Sequence, residues 1–287
     1  ELAAYYGLGE DQVFVGVGSD DVLAMSFLTF FNSDKPVLFP DVTYSFYKVW
    51  ADLFKVPFET PVLKEDFTID VKDYEKENGG VIFPNPNAPT GVYMPLDQVE
   101  EILKANQDVV VIVDEAYVDF AGPSALELLD KYENLLVVQT FSKSRSMAGM
   151  RIGFAMGHPD LIRALNDVKY SYNSYTMNLP SLLAGVEAVK DKEYFEKTIE
   201  KIVATREHAK KRLTELGFTF PNSQSNFIFA SHKSVPAEKI FEALKKEQIY
   251  VRYFKTPGLD NSLRISIGTD EEMDTLFRFL EAYLPNA

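Results

Sequence analysis

Cysteine is absent from the 287 residues. That excludes disulfides and thiolate metal sites, and it suits a reducing compartment such as the cytoplasm. Histidine is scarce: His158, His208 and His232 lie far apart in sequence, so no zinc-binding spacing can be read. Positive charge is also short, with 29 Lys and Arg against 43 Asp and Glu, a net charge of −14 and a pI near 4.7. Such a balance opposes nucleic acid as a partner, although local cations could still focus an anionic metabolite. No apolar run approaches the roughly 20 residues needed to cross a bilayer. An initiator methionine is missing too, and Glu1 to Gly7 reads as the last turns of a helix closed by glycine. The expectation is that a segment precedes these residues in the natural protein, so a targeting peptide is not excluded.

What is present can fill substantial cores, since 46% of the residues are hydrophobic and 13% aromatic. Gln12 to Val17, Val37 to Phe39, Gly80 to Phe83, Val109 to Val113, Leu135 to Thr140 and Ile152 to Met156 read as strands. Several are apolar throughout, as strands covered on both faces are. The patterns between them (Asp20 to Phe31, Leu96 to Asn106, Pro159 to Lys169) read as helices. Together they predict a mostly parallel sheet in an α/β fold. Past residue 190 the texture changes: a long charged helix over Glu193 to Leu216 leads into short strands at Asn226 to Ala230, Tyr250 to Phe254 and Ser262 to Ile267, with helices at Pro236 to Lys246 and Glu271 to Tyr283. The expected organisation is a large α/β domain over residues 1–190 and a smaller α+β domain over 191–287, with no repeat or low-complexity linker.

In open parallel sheets ligands gather at the carboxyl ends of the strands, and those ends carry the polar motifs of this chain. Gly16-Val17-Gly18-Ser19-Asp20-Asp21 opens a helix, where small residues let backbone amides approach a phosphate and the helix N-terminus favours its charge. An ordinary cap, with Ser19 or Asp20 accepting hydrogen bonds, uses the same residues. Tyr44 and Tyr47 after the second strand suit either stacking on a planar ligand or packing. Pro84 to Gly91 is a rigid turn from which Asn87 could donate a hydrogen bond. Asp114 ends an apolar strand, a costly place for a carboxylate unless a cation or donor meets it. It reads as a cap or ion pair, or as the partner of a protonated ring nitrogen with Tyr117 close behind. Finally, Lys143 stands among the hydroxyls of Thr140 and Ser142, with Arg151 eight residues on. The apolar strand before it could carry the lysine into the interior, where a lowered pKa suits Schiff-base chemistry. Each motif alone has an ordinary structural reading. In this order they make up a phosphate cradle, a ring-nitrogen partner and a Schiff-base lysine, the parts that pyridoxal phosphate requires.

The chain resembles the fold-type I pyridoxal-phosphate aminotransferases over essentially its whole length. The likeness is carried by Gly16 to Asp21, Thr43-Tyr44, Asn87 with Pro89-Thr90-Gly91, Asp114 to Tyr117, Ser142-Lys143, Ala148-Gly149 with Arg151, Asn226, Arg252 and Leu263-Arg264-Ile265. A finer likeness, to the histidinol-phosphate branch of the class II subgroup, rests on Tyr5-Tyr6-Gly7, Gly18-Ser19-Asp20 and the stretch Tyr250 to Thr269. The resemblance implies that Lys143 binds the cofactor covalently and then moves a proton between substrate Cα and cofactor C4′. It further implies that Asp114 keeps the ring nitrogen protonated, Tyr117 bonds the phenolic oxygen and Tyr44 stacks on the ring. Arg151, Thr140, Ser142 and the amides of Gly18, Ser19 and Asp20 would hold the phosphate. Arg264 would bind a substrate carboxylate, with Arg252 and Asn226 nearby. L-histidinol phosphate and 2-oxoglutarate or glutamate are the implied substrates, in a homodimer; an aromatic aminotransferase, a phosphothreonine-type decarboxylase and a non-catalytic cofactor-binding regulator are the alternatives. One departure stands out, because relatives have Asn directly before Pro-Thr-Gly and this chain has Ala88 there, with Asn87 one position earlier.

Overall fold

The computed structural model describes residues 1–287. In chain order the elements are α1 (Leu2–Tyr6), β1 (Val13–Gly16), α2 (Ser19–Phe30), β2 (Val37–Leu38), α3 (Phe46–Phe54), β3 (Phe58–Glu59), β4 (Gly80–Pro84), α4 (Leu96–Ala105), β5 (Val111–Asp114), β6 (Leu135–Thr140), β7 (Gly153–Gly157), α5 (Pro159–Tyr172), α6 (Leu179–Lys190), α7 (Lys192–Glu215), β8 (Phe218–Thr219), β9 (Phe227–His232), α8 (Ala237–Lys246), β10 (Arg252–Tyr253), β11 (Leu263–Ser266) and α9 (Asp270–Tyr283).

Seven strands form one sheet in the order β1-β7-β6-β5-β4-β2-β3. The pairs from β3 through β6 are parallel, while β7 runs antiparallel to both β6 and β1. The continuous apolar runs follow from burial on both faces. Val111, Val113, Leu135 and Val137 face one core while Ile112, Leu136 and Val138 face the other, the period-two alternation of a strand. Helix ends follow local chemistry: Gly7 closes α1 at φ 71°, Pro159 opens α5, and Thr269 with Glu272 caps α9 reciprocally.

The second sheet is antiparallel, in the order β10-β11-β9-β8, and packs with α7, α8 and α9 around its own core of Ile228, Ala230, Leu263, Leu276 and others. The architecture is therefore the expected mostly parallel α/β sheet with a smaller α+β part. Four elements lay beyond the sequence reading. Strands β3 and β8 span two residues each, too short for any periodicity to show. Helix α3 hides in an aromatic run, and α6 exposes Leu182 and Leu183, so its apolar face does not read as one side of a core.

Candidate active site

Because β7 opposes its neighbours, its first residues share a sheet edge with the carboxyl ends of β1, β2, β4, β5 and β6. Ser19, Asp20, Tyr44, Ala88, Asp114, Tyr117, Ser142, Lys143, Arg151 and Arg264 thereby line one cavity of about 260 Å³.

Asp114 ends β5 almost fully buried, at 4% exposure. The Tyr47 hydroxyl donates to it at 2.7 Å and the Ala116 amide at 3.3 Å. Burial raises its pKa to about 6, against those two donors. A positive ligand atom would relieve that cost. Tyr47 is itself wholly buried, so of the two tyrosines considered from sequence, this one holds the carboxylate. Tyr44 donates instead to Asp20 at 2.8 Å and lines the cavity wall.

Lys143 corrects the expectation of an interior lysine. Strand β6 is buried throughout, but the chain turns at its end: Ser142 N–H donates to the Thr140 hydroxyl and Ser146 N–H to the Lys143 carbonyl. That turn leaves Lys143 exposed over the strand end, with Nζ 5.3 Å from the centre of the Tyr117 ring. The next residue faces inward, where the buried Ser144 hydroxyl donates to the Asp119 carboxylate. Thr140 also sits behind the wall, its hydroxyl committed to the Ile152 carbonyl and the Ser142 amide.

Arg151 precedes β7 in the left-handed region at φ 52°. Its guanidinium donates to the Ala148 carbonyl at 3.0 Å and reaches Ser142 Oγ at 3.5 Å. A Cβ on Gly18 would stand 2.5 Å from that guanidinium, and one on Gly153 would stand 2.2 Å from the Gly18–Ser19 peptide. These two glycines bring the first turn of α2 up against Arg151. No side chain caps α2, and Asp21 turns back to accept from the Val17 amide at 2.9 Å. Free first-turn amides facing an arginine make an anion cradle. Gly153 was missed in sequence because only the opposed direction of β7 reveals the contact.

Asn87 and Asn226 do not line this cavity. Asn87 donates to the Val42 carbonyl and the Thr90 hydroxyl, leaving its own buried Oδ1 without a partner, and Ala88 supplies the wall. Asn226 fastens β9 to β11 through its carbonyl, which accepts from the Ile267 amide. Arg264 and Arg252 are register partners on adjacent strands and share a second cavity of about 620 Å³ with Lys48 and Lys255. The Arg264 guanidinium lies 4.9 Å from the centre of the Phe227 ring and 5.8 Å from that of Phe254, and its buried Nε has no partner. Like charges set directly opposite are destabilising, so this pair calls for an anion.

Residues 1–280 match the family described as aminotransferase class I and II. The chain belongs to this family. Among aminotransferase relatives it is 55% identical to the histidinol-phosphate aminotransferase of Clostridium acetobutylicum, over 95% of this chain and 77% of that one. It is 50% identical to the enzyme of that name from Brachyspira hyodysenteriae, over 100% of this chain and 81% of that one. The fold is that of a histidinol-phosphate aminotransferase from Sinorhizobium meliloti solved in complex with pyridoxal-5′-phosphate (TM-score 0.88, 23% identity, 98% of this chain and 80% of that one).

Pyridoxal phosphate is the cofactor of this aminotransferase family. The residues present fit it: a buried carboxylate awaiting a cation, a lysine amine at the cavity mouth, and amides with an arginine arranged for a phosphate.

Proposed function

We propose that the chain transfers an amino group between L-histidinol phosphate and 2-oxoglutarate, in histidine biosynthesis. The observation that carries this is the meeting, within one connected site, of the buried Asp114, the Lys143 amine and the arginines Arg264 and Arg252, neither of which has a carboxylate partner. Arg151, Ser142 and the first-turn amides of Ser19 and Asp20 would hold the cofactor phosphate; the Gly18 amide, expected to join them, donates instead to the Gly16 carbonyl at 3.0 Å, and Gly18 serves by leaving room for Arg151. Asp114 would keep the proton on the ring nitrogen, itself held as a carboxylate by Tyr47. Tyr117 would donate to the phenolic oxygen and Tyr44 would cover the ring face. Asn87, with its free Oδ1 behind Ala88, supports the turn rather than reaching the ring.

Bound there, pyridoxal phosphate supplies an electron sink that acidifies the Cα–H of an attached amine. Lys143 Nζ is the base that takes the Cα proton and returns it at C4′, and its exposure on the turn after β6 leaves it free to swing between the two atoms. Arg264 and Arg252 bind the anionic end of the substrate, a phosphate ester in one half-reaction and a carboxylate in the other, with Lys48 and Lys255 adding charge. Asp41, the acid on that wall, has an oxygen occupied by the Val42 and Leu63 amides.

We further propose that the chain works in the cytoplasm as a homodimer of two-domain subunits divided near residue 190. An exposed apolar surface at Tyr172, Tyr175, Leu179 and Leu183 supports the dimer. The test of function is turnover with L-histidinol phosphate and 2-oxoglutarate, followed as glutamate formed, against phenylalanine as competing donor. Preference for the phosphate ester is expected; equal or better use of phenylalanine would overturn the substrate assignment.

A further inference from the structure

Arg206 is a buried arginine that lines neither cavity, at 6% exposure on α7. Its Nη1 donates to the Phe120 carbonyl at 2.8 Å and to the Ser225 carbonyl at 3.2 Å, while Nε pairs with Glu207 at 2.9 Å. The two carbonyls belong to different parts of the molecule. Phe120 ends the turn that starts at Tyr117, and Ser225 lies two residues before Phe227 at the start of β9. Tyr117 and Phe227 meet edge to face at 5.1 Å, and Phe227 also carries the Arg264 guanidinium at 4.9 Å from its ring centre. With Ala88 and Phe120 these rings form a small separate core, against which Ile199 and Ile202 of α7 also pack. Residues 199, 202 and 206 follow helical spacing, so one face of α7 carries both the apolar cover and the clamp.

We propose that Arg206 is a positioning residue for substrate-anion binding: by holding both carbonyls on one guanidinium it fixes Phe227 against Tyr117 and thereby sets where Arg264 stands. The inference rests on the reading of Arg264 as the anion-binding arginine. Phe227 is the only ring in the chain that touches both the lysine-facing tyrosine and that arginine. A flexible or shifted Phe227 would leave the cofactor cradle of Arg151, Gly18 and Ser142 untouched, because none of those groups contacts this core. Both carbonyls accept from the one Nη1, whose direction is fixed by the Nε bond to Glu207; lysine at 206 keeps charge but has no second nitrogen to be held in that way.

The experiment compares Arg206→Lys and Arg206→Gln with the unaltered holoenzyme in two binding measurements that need no turnover. Calorimetry reads the affinity for succinate, a dicarboxylate with neither amino nor oxo group. Quenching of the single tryptophan, Trp50, which packs against Tyr44, reads cofactor affinity. Succinate affinity is expected to fall about tenfold in both variants, with cofactor affinity changed less than about twofold and KM for 2-oxoglutarate rising more than kcat falls. Unchanged succinate affinity, equal loss of both affinities, or failure of both variants to fold would each overturn the proposal. Arg264→Gln is the reference. If it leaves succinate binding unchanged, the reading of the anion site has failed; if it weakens succinate binding and the Arg206 variants do not, only the present inference has failed.

Discussion

The two sheets contribute to the site in different states of readiness. On the large sheet several side chains are already paired within the protein: Asp114 with Tyr47, Tyr44 with Asp20, Arg151 with Ala148, Ser142 and Asp20. On the small sheet Arg264 rests on aromatic faces with its Nε unpartnered, and Arg252 faces it across the strands. The first arrangement suits a group that stays through the cycle, because bonds made inside the protein orient its contacts in advance. The second suits ligands that must leave. A permanent carboxylate on Arg264 would have to be displaced at each half-reaction, whereas a ring face stabilises the cation without competing for its hydrogen bonds.

The largest break in this contrast is expected at the lysine. Lys143→Ala should lower turnover by more than about a thousandfold, since the proposed base and covalent anchor would be lost together. Borohydride treatment of holoenzyme should place the label on the peptide containing Lys143; a label on any other lysine would remove it from the reaction.

Asp114→Asn follows, with turnover down about a hundredfold or more and cofactor still bound. Stability gives a second reading of the same residue. Burial raises Asp114 to about 6 and its neighbour Glu115 to about 7. A carboxyl whose folded pKa lies above its unfolded value contributes stability that is full below the unfolded value and is lost as pH rises through the folded one. Cofactor-free protein should therefore lose stability between about pH 4 and pH 7, and Asp114→Asn should lose less, by on the order of 2 kcal/mol. A cationic ring nitrogen beside Asp114 reverses its contribution, so holoenzyme should show a weaker decline. Parallel melting curves for the two proteins across this range would show that Asp114 does not carry the buried charge.

Arg264→Lys tests the other sheet. The bidentate contact and part of the aromatic stacking go while the charge stays, so KM for 2-oxoglutarate should rise about tenfold to a hundredfold. Cofactor affinity should hold, because Arg151 and the α2 amides are untouched. Loss of cofactor together with substrate would dissolve the distinction between the two sheets.

Much of this was legible in the chain, and the reason differs by residue. Asp114 announced itself because a carboxylate at the end of Val109 to Val113 contradicts its surroundings, and Lys143 because its neighbours are hydroxyls and glycine. The strands were visible because burial on both faces leaves long apolar runs. Pairings across the fold were not visible. Tyr47 reaches Asp114 from 67 residues away, and Gly153 matters only because β7 is reversed. Nor does a sequence show that the chain turns after Thr140 and lifts Lys143 out of the core, since the turn is held by a side chain accepting from its own backbone. Thr140 and Asn87 carry the right chemistry but have their donors committed inside the wall.

The smallest effect, and the finest probe of the contrast, belongs to Arg252. It is exposed, its guanidinium 5.6 Å from the centre of the Phe254 ring, and it shares its cavity with Lys48 and Lys255. An exposed cation acts mainly through long-range attraction that salt screens within about 8 Å at physiological ionic strength. Arg252→Gln should therefore raise KM for L-histidinol phosphate only about threefold to tenfold, with kcat nearly unchanged. The substrate pair provides an internal control. A phosphate ester carries close to two negative charges near neutral pH and a single carboxylate one, so the variant should weaken the phosphate ester more than 2-oxoglutarate once both are compared at the same ionic strength. Raising salt should narrow the gap between variant and unaltered enzyme for the phosphate ester, while the defect of Arg264→Lys, in a desolvated contact, should persist. If both variants respond to salt alike, the two arginines form one exposed patch, and the half-buried Arg264 has no separate role.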